Sequence, residues 1–207
     1  MAEPARSQAL PAASDGHTWP AQGAWTYEDY VRLPDDGKRY EVIRGVLYVS
    51  PAPVLLHEYC RNELREIMGR LIREKRLGFL LASPLDVRLP RRIGDPVQPD
   101  LVYIPVAKQP RWEVDSSFDG VPDLVVEILS PSTTRLDRRI KHLVYQEAGI
   151  LEYWIVDPRA RTIEVFGLSA DSARYDELCR GGEGDVVRSV VLPGLEVSVS
   201  EIFPPRS

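Results

Sequence analysis

The segment Leu124–Leu129, LVVEIL, constrains this chain more than any other stretch: five apolar residues interrupted by one acid, Glu127. A run without alternation reads as a strand buried on both faces, which requires a sheet with a packed layer on each side. A carboxylate in such a strand is costly to bury unless something compensates it. Two compensations are open: a metal ion, or a lysine or arginine from the following helix. Either makes the surroundings of Glu127 a candidate active site.

The remaining sequence supplies the layers. Residues 1–24 are rich in Ala, Pro, Ser and Gly without an apolar period and read as a disordered tail. Thr26 is placed to cap a short helix with Asp29 at the third helical position, and Trp25 and Tyr30 form a hydrophobic staple across that cap. Tyr40–Ile43 and Val46–Ser50 read as a hairpin around Arg44-Gly45. Leu55–Arg76 carries Tyr59, Cys60, Leu64, Ile67, Met68, Leu71 and Ile72 at helical spacing, with Gly78 as its stop.

Phe79–Leu81, Leu85–Leu89 and Val97–Ile104 read as strands, and Lys108–Asp119 as a polar loop. A helix over Leu136–Ala148, ended by Gly149, follows the Glu127 strand. Tyr153–Val156 and Thr162–Phe166 form a hairpin over Asp157–Ala160. Gly181–Gly184 is a loop, and Val186–Leu192 and Leu195–Val199 are closing strands. The order is that of a mixed α/β fold with helices packed on a central sheet. At 207 residues, 43% hydrophobic and 28% charged, residues 25–207 fit a single domain with a substantial core.

No apolar run approaches the ~20 residues of a membrane span, and no secretory h-region opens the chain. Two widely separated cysteines, Cys60 and Cys179, fit free thiols in a cytoplasmic protein. With a net charge of −5 there is no global basic signature, so any contact with nucleic acid must use a local patch. Candidate patches are the arginines of the long helix, Arg88, Arg91 and Arg92, and the group Arg135, Arg138 and Arg139.

Three acids occupy strand positions that favour apolar or β-branched residues: Glu41, Asp100 and Glu127. Asp100 shares a face with Val102 and Ile104, and Glu127 with Val125 and Leu129. If their strands are neighbours, the two carboxylates converge. Such a pair suits a hard divalent cation, which takes one or two carboxylates together with waters and substrate phosphates. One acid alone reads equally as a strand-end charge or an ion-pair partner; the set of three reads as a site.

Asp137, Lys141 and Tyr145 lie four apart on the next helix and share a stripe. Lys141 therefore either pairs with Asp137 or reaches over the sheet toward Glu127 to polarise a water or neutralise phosphate charge. Ser132, Thr133 or Thr134 caps this helix. His57, at the start of the long helix, is an accessory candidate; His142 reads as facing solvent. The histidines are scattered, and neither a Gly-rich phosphate loop nor a nucleophile elbow is present.

Several strings together resemble one family: Tyr40-Glu41-Val42-Ile43-Arg44-Gly45, Gln98-Pro99-Asp100-Leu101, Pro122–Thr133, the Asp137…Lys141…Tyr145 stripe, and Glu152–Pro158. They look like the Uma-two family of endonucleases, within the restriction-endonuclease-like PD-(D/E)XK superfamily. The resemblance spans roughly Thr26 to Phe166. It implies a restriction-endonuclease-like core and Mg²⁺- or Mn²⁺-dependent hydrolysis of phosphodiester bonds. It implies metal ligation by Asp100 and Glu127 with the carbonyl of Ile128 as a further ligand, and Glu41 as the upstream acid.

The chain departs from the superfamily pattern at Leu129, where a lysine is expected two residues after the second acid; Lys141 is the implied replacement. It departs again at Arg44 and Val46, where relatives carry acids around the hairpin glycine. Tyr145 joins His57 as an accessory. The expected partner is nucleic acid, DNA foremost, with no membrane contact, and self-association is expected on general grounds. The rival expectation is a non-catalytic module on the same fold that binds nucleic acid or a protein.

Overall fold

In the computed structural model, residues 18–113 and 117–206 are described. Most of the expected N-terminal tail lies outside them. Residues 18–24, however, are packed: Trp19 stacks on Trp25, and the N–H groups of Gly23 and Trp25 both donate to the Gly45 carbonyl. Gly45 sits at φ 74°, and a Cβ there would lie 2.4 Å from the Gly23 carbonyl oxygen, so both the turn and this docked segment require glycine.

Helix α1 (Tyr27–Tyr30) begins with the expected capping box between Thr26 and Asp29. Strands β1 (Arg39–Ile43) and β2 (Val46–Ser50) form the expected hairpin, its two turn residues Arg44 and Gly45 both at positive φ, as a two-residue turn of the primed type demands. Helix α2 (Leu55–Glu74) ends earlier than Gly78. Arg76 takes the left-handed conformation instead, and Leu77 N–H closes back on the Ile72 carbonyl in a Schellman arrangement.

There follow β3 (Gly78–Ala82), β4 (Val87–Arg88), β5 (Leu101–Pro105), β6 (Phe118–Asp119) and β7 (Leu124–Ile128). Next come a π-helical segment (Leu136–Lys141) that runs into α3 (His142–Ala148), then β8 (Glu152–Asp157) and β9 (Thr162–Leu168). The chain closes with β10 (Tyr175–Gly181), β11 (Val186–Arg188) and β12 (Glu196–Ser198).

The main sheet has the order β10-β9-β8-β7-β5-β3. Within this sheet only β7 and β8 pair in parallel, which needs a crossover; the segment through α3 provides it. The mixed α/β sheet read from the sequence is the one observed. Side chains alternate between two cores. Leu101, Tyr103, Leu124, Val126 and Trp154 pack on the α2 stripe Cys60, Leu64, Met68 and Ile72. Val102, Ile104, Val125, Tyr153 and Ile155 pack on Leu136, Val144 and Tyr145 of the crossover and Ile43 of the hairpin. Both faces are covered, which is why the β7 run lacks polar alternation.

The structure corrects several expectations. Val97–Ile104 is strand only from Leu101, so Asp100 stands at the strand entrance. Val186–Leu192 and Leu195–Val199 contract to the short ribbon β11–β12. The helix expected over Leu136–Ala148 opens as a wide π turn, and the Ser130, Ser132 and Thr133 hydroxyls bond one another rather than capping it. Strand β10 escaped the reading because Asp176, Glu177 and Arg180 make an exposed, charged edge with a register shift between Glu177 and Cys179. His142 does not face solvent: it packs edge-on against Tyr153, Phe166 and Tyr175, and burial lowers its pKa.

Candidate active site

Because β5 and β7 run antiparallel with Leu101 opposite Val126, the entrance of β5 and the exit of β7 lie at the same end of the sheet. Asp100, Glu127 and Ile128 therefore converge there. Asp100 is 1% exposed, and each of its oxygens is engaged. Oδ1 accepts from Arg39 Nη2 at 2.7 Å; Oδ2 accepts from the Ile128 N–H at 2.8 Å and lies 3.0 Å from His57 Nε2. Burial opposes its ionisation, but His57, Arg39 and the Ile128 amide together hold its carboxyl below the ordinary range.

Glu127 is equally buried. Its Oε1 accepts from Lys141 Nζ at 2.9 Å and from the Tyr145 hydroxyl at 2.6 Å. Of the two compensations open in the sequence, the lysine from the following helix is thus in place. Lys141 also lies 2.9 Å from Glu41 Oε1 and 3.6 Å from Asp137 Oδ1. Glu41 is fixed independently, since its Oε1 accepts the Gln98 N–H at 2.7 Å. Lys141 has both its sequence-stripe partner, Asp137, and its cross-sheet partner, Glu127, because the π turn buries Asp137 and Lys141 together.

Burial disfavours the charge on Lys141, yet Glu127, Glu41 and Asp137 outweigh that and hold the ammonium protonated well above its usual range. Burial raises Glu127 well above the usual carboxylate range; Lys141 opposes the shift, and the neighbouring acids add to it. Asp137 is pushed up to about 6, again chiefly by burial. Its Oδ1 accepts no hydrogen bond among the described residues.

A cavity of about 300 Å³ opens onto this cluster, with Arg39, His57, Asp100, Glu127, Ile128 and Asp137 in its wall. Glu41 and Lys141 lie behind that wall, 2% and 1% exposed. A larger hollow of about 450 Å³ lies beside β9 and β10 among Leu151, Leu178, Val190 and neighbours, remote from these acids. Every residue singled out from the sequence, Glu41, His57, Asp100, Glu127, Ile128, Lys141 and Tyr145, thus lies in one cluster. The Lys141 ammonium is shared among three carboxylates, Glu41, Glu127 and Asp137. Arg39 was missed; its position two residues before Glu41, on the same face of β1, was the available signal. Asp137 was noticed only as a helix partner of Lys141.

The basic patches are less available than their sequence suggests. Arg138 is held in a two-pronged pair with the buried Glu164, and Arg61 is bound to Glu58 and Ser83. Arg88 pairs with Asp95.

Four buried carboxylates, Glu41, Asp100, Glu127 and Asp137, therefore face Lys141, Arg39 and the imidazole of His57. Among the described residues no three His, Cys, Asp or Glu side chains form a ready-made metal cage. The donor set still fits a hard divalent ion, which needs only one or two carboxylates when waters and phosphate oxygens complete its shell. The raised Glu127 and Asp137, and an Asp137 oxygen that accepts no hydrogen bond among the described residues, mark a cluster short of positive charge, with Asp100, Glu127 and Asp137 reaching the cavity.

Comparison with family models matches residues 27–200 to Uma2, described as "putative restriction endonuclease". Among solved structures, the chain matches one from Anabaena variabilis described as a "putative nuclease belonging to DUF820". The TM-score is 0.71 at 20% identity, over 86% of this chain and 97% of that one. At that identity the likeness establishes the fold. No curated protein matches. No helix among the described residues is long and apolar enough to cross a membrane.

Proposed function

The chain belongs to the Uma2 family, and from that membership we propose that it is a Mg²⁺- or Mn²⁺-dependent endonuclease hydrolysing phosphodiester bonds of nucleic acid. The observation that carries the reading is the convergence of Asp100 and Glu127, both buried, in the wall of one cavity backed by Lys141. Asp100 and Glu127 would hold the ion, with the Ile128 carbonyl beside them. When bound, the ion supplies an activated water and stabilises charge on the phosphoryl oxygen.

The remaining residues act on these two carboxylates. The Ile128 N–H and Arg39 fix Asp100 in one orientation, as second-layer partners of a metal ligand do. Lys141 and the Tyr145 hydroxyl fix Glu127, and Glu41 anchors Lys141; these three are positioning residues. Arg39 supplies positive charge in the cavity wall for a substrate phosphate, with the His57 imidazole beside it. Leu129, at the usual lysine position, is a buried core residue, and the positive charge comes from the helix instead.

A second reading, a non-catalytic binding module, is favoured by one observation: Asp100 and Glu127 already have protein partners, Arg39, His57, Lys141 and Tyr145. Calorimetric titration of Mn²⁺ into wild type and Glu127→Gln separates the two. The nuclease reading expects binding in the wild type, lost in the variant, accompanied by Mn²⁺-dependent cleavage of a nucleic-acid panel. It also expects binding to weaken as pH falls through about 6, because Asp137 beside the site takes up a proton there, while burial already favours the protonated form of Glu127. Absence of both binding and cleavage would favour the module.

A further inference from the structure

The mouth of the acid-lined cavity is apolar on one side. Pro51, Ala52, Pro53 and Val54, between β2 and α2, line it, and Leu55 follows at the first position of the helix. All five are exposed; Val54 is 59% and Leu55 87% accessible. Val54 occupies the N-cap of a 20-residue helix, where Ser, Thr, Asp or Asn is preferred, and no side chain caps it. Helix stability therefore does not account for this residue, and the core does not account for Leu55. The opposite lip is polar, with Ser130, Ser132 and Thr133 bonded to one another.

We propose, resting on the nuclease reading above, that the site takes single-stranded nucleic acid, with a base packed against the Pro51–Leu55 lip while its phosphodiester enters the cavity. The occupant follows from the pairing of surfaces: an apolar ledge joined to a wall carrying Arg39, His57 and the metal-binding carboxylates matches a nucleotide, apolar at the base and anionic at the phosphate. The cavity, about 300 Å³, is at the lower end of the range for small ligands and admits about one nucleotide. Its carboxylates are 1% exposed, so a phosphodiester must leave a regular helical path to meet them.

A duplex keeps its bases paired and stacked and offers the lip only sugar and phosphate. A single strand offers a base face, which apolar and aromatic side chains bind with little regard to sequence. Proline and leucine also serve as wedges that unstack neighbouring bases, the role this lip would play where a strand is locally open.

The test uses full-length wild type and Leu55→Glu with Mn²⁺. The probes are a fluorescein-labelled oligodeoxynucleotide, the oligoribonucleotide of the same sequence, and the DNA duplex of that sequence, followed by anisotropy and by cleavage kinetics. Because Leu55 lies outside the core, the variant should keep its wild-type melting temperature. The expected result is at least tenfold greater kcat/KM for a single strand than for the duplex, and about tenfold higher KM for the single strand in Leu55→Glu. The two single strands separate DNA from RNA. A duplex bound and cleaved as well as the single strands overturns this inference and leaves the nuclease reading standing. Unchanged single-strand binding in Leu55→Glu overturns the role of the lip. No binding or cleavage of any probe overturns both readings.

Discussion

Glu127 and Glu152 are both fully buried acids on neighbouring strands of one sheet, and they live by different rules. Glu152 faces the α2 core and is satisfied by neutral donors: Trp154 Nε1 at 2.6 Å and the N–H groups of Val190 and Val191 at 2.7 and 3.0 Å. It ties the segment before β12 to the sheet, a structural task. Glu127 faces the other core, shares Lys141 with two further acids, and lines a cavity. Burial alone does not mark a carboxylate as a candidate for a site; the number of like charges around it and an opening to solvent do.

The comparison breaks most visibly at Lys141. Replacing it by Met leaves Glu41, Glu127 and Asp137 buried without their ammonium, which should cost about 3–5 kcal/mol. The loss should be largest at pH 8 and partly recover toward pH 5, because protonation removes the uncompensated charges. Urea melts at the two pH values measure it, and pH-independent stability would show that Lys141 does not hold the cluster.

On the other side of the sheet, Glu152→Ala leaves an indole N–H and two backbone N–H groups unpaired and should cost roughly 2–4 kcal/mol. That loss should not vary with Mn²⁺. A Mn²⁺-dependent loss in the melting temperature would place Glu152 among the functional acids and dissolve the contrast.

The smallest effect has the opposite sign. Asp137 has a folded pKa of about 6 against an ordinary value of 3.8. Between those values the unfolded chain has released its proton and the folded one keeps it. Stability therefore falls as pH rises through this window, and the loss persists at pH 7. Asp137→Asn should raise stability at pH 7, by roughly 1–3 kcal/mol, and flatten its dependence between pH 4 and 6. A destabilised variant would show that Asp137 is held by its bond to Lys141 more than it is penalised by burial.

Much of this molecule was legible along the chain because its signals are local. The apolar run around Glu127 announced a two-sided sheet, the four-residue spacing of Cys60, Leu64, Met68 and Ile72 announced α2, and Thr26 with Asp29 announced a cap. Acids at strand positions stood out because such positions rarely carry them, and their strings carried the family resemblance. What the chain could not express was pairing. Antiparallel β5 and β7 bring Asp100 to Ile128, 28 residues away, and β1 delivers Arg39 to Asp100 across 61 residues. The π turn that buries Asp137 beside Lys141, the aromatic niche that takes His142 from solvent, and the charged edge strand β10 depend likewise on neighbours distant in sequence. Local periodicity is set by the geometry of successive residues. The partners that decide whether a buried charge is held, shared or left open are chosen only when the sheet assembles.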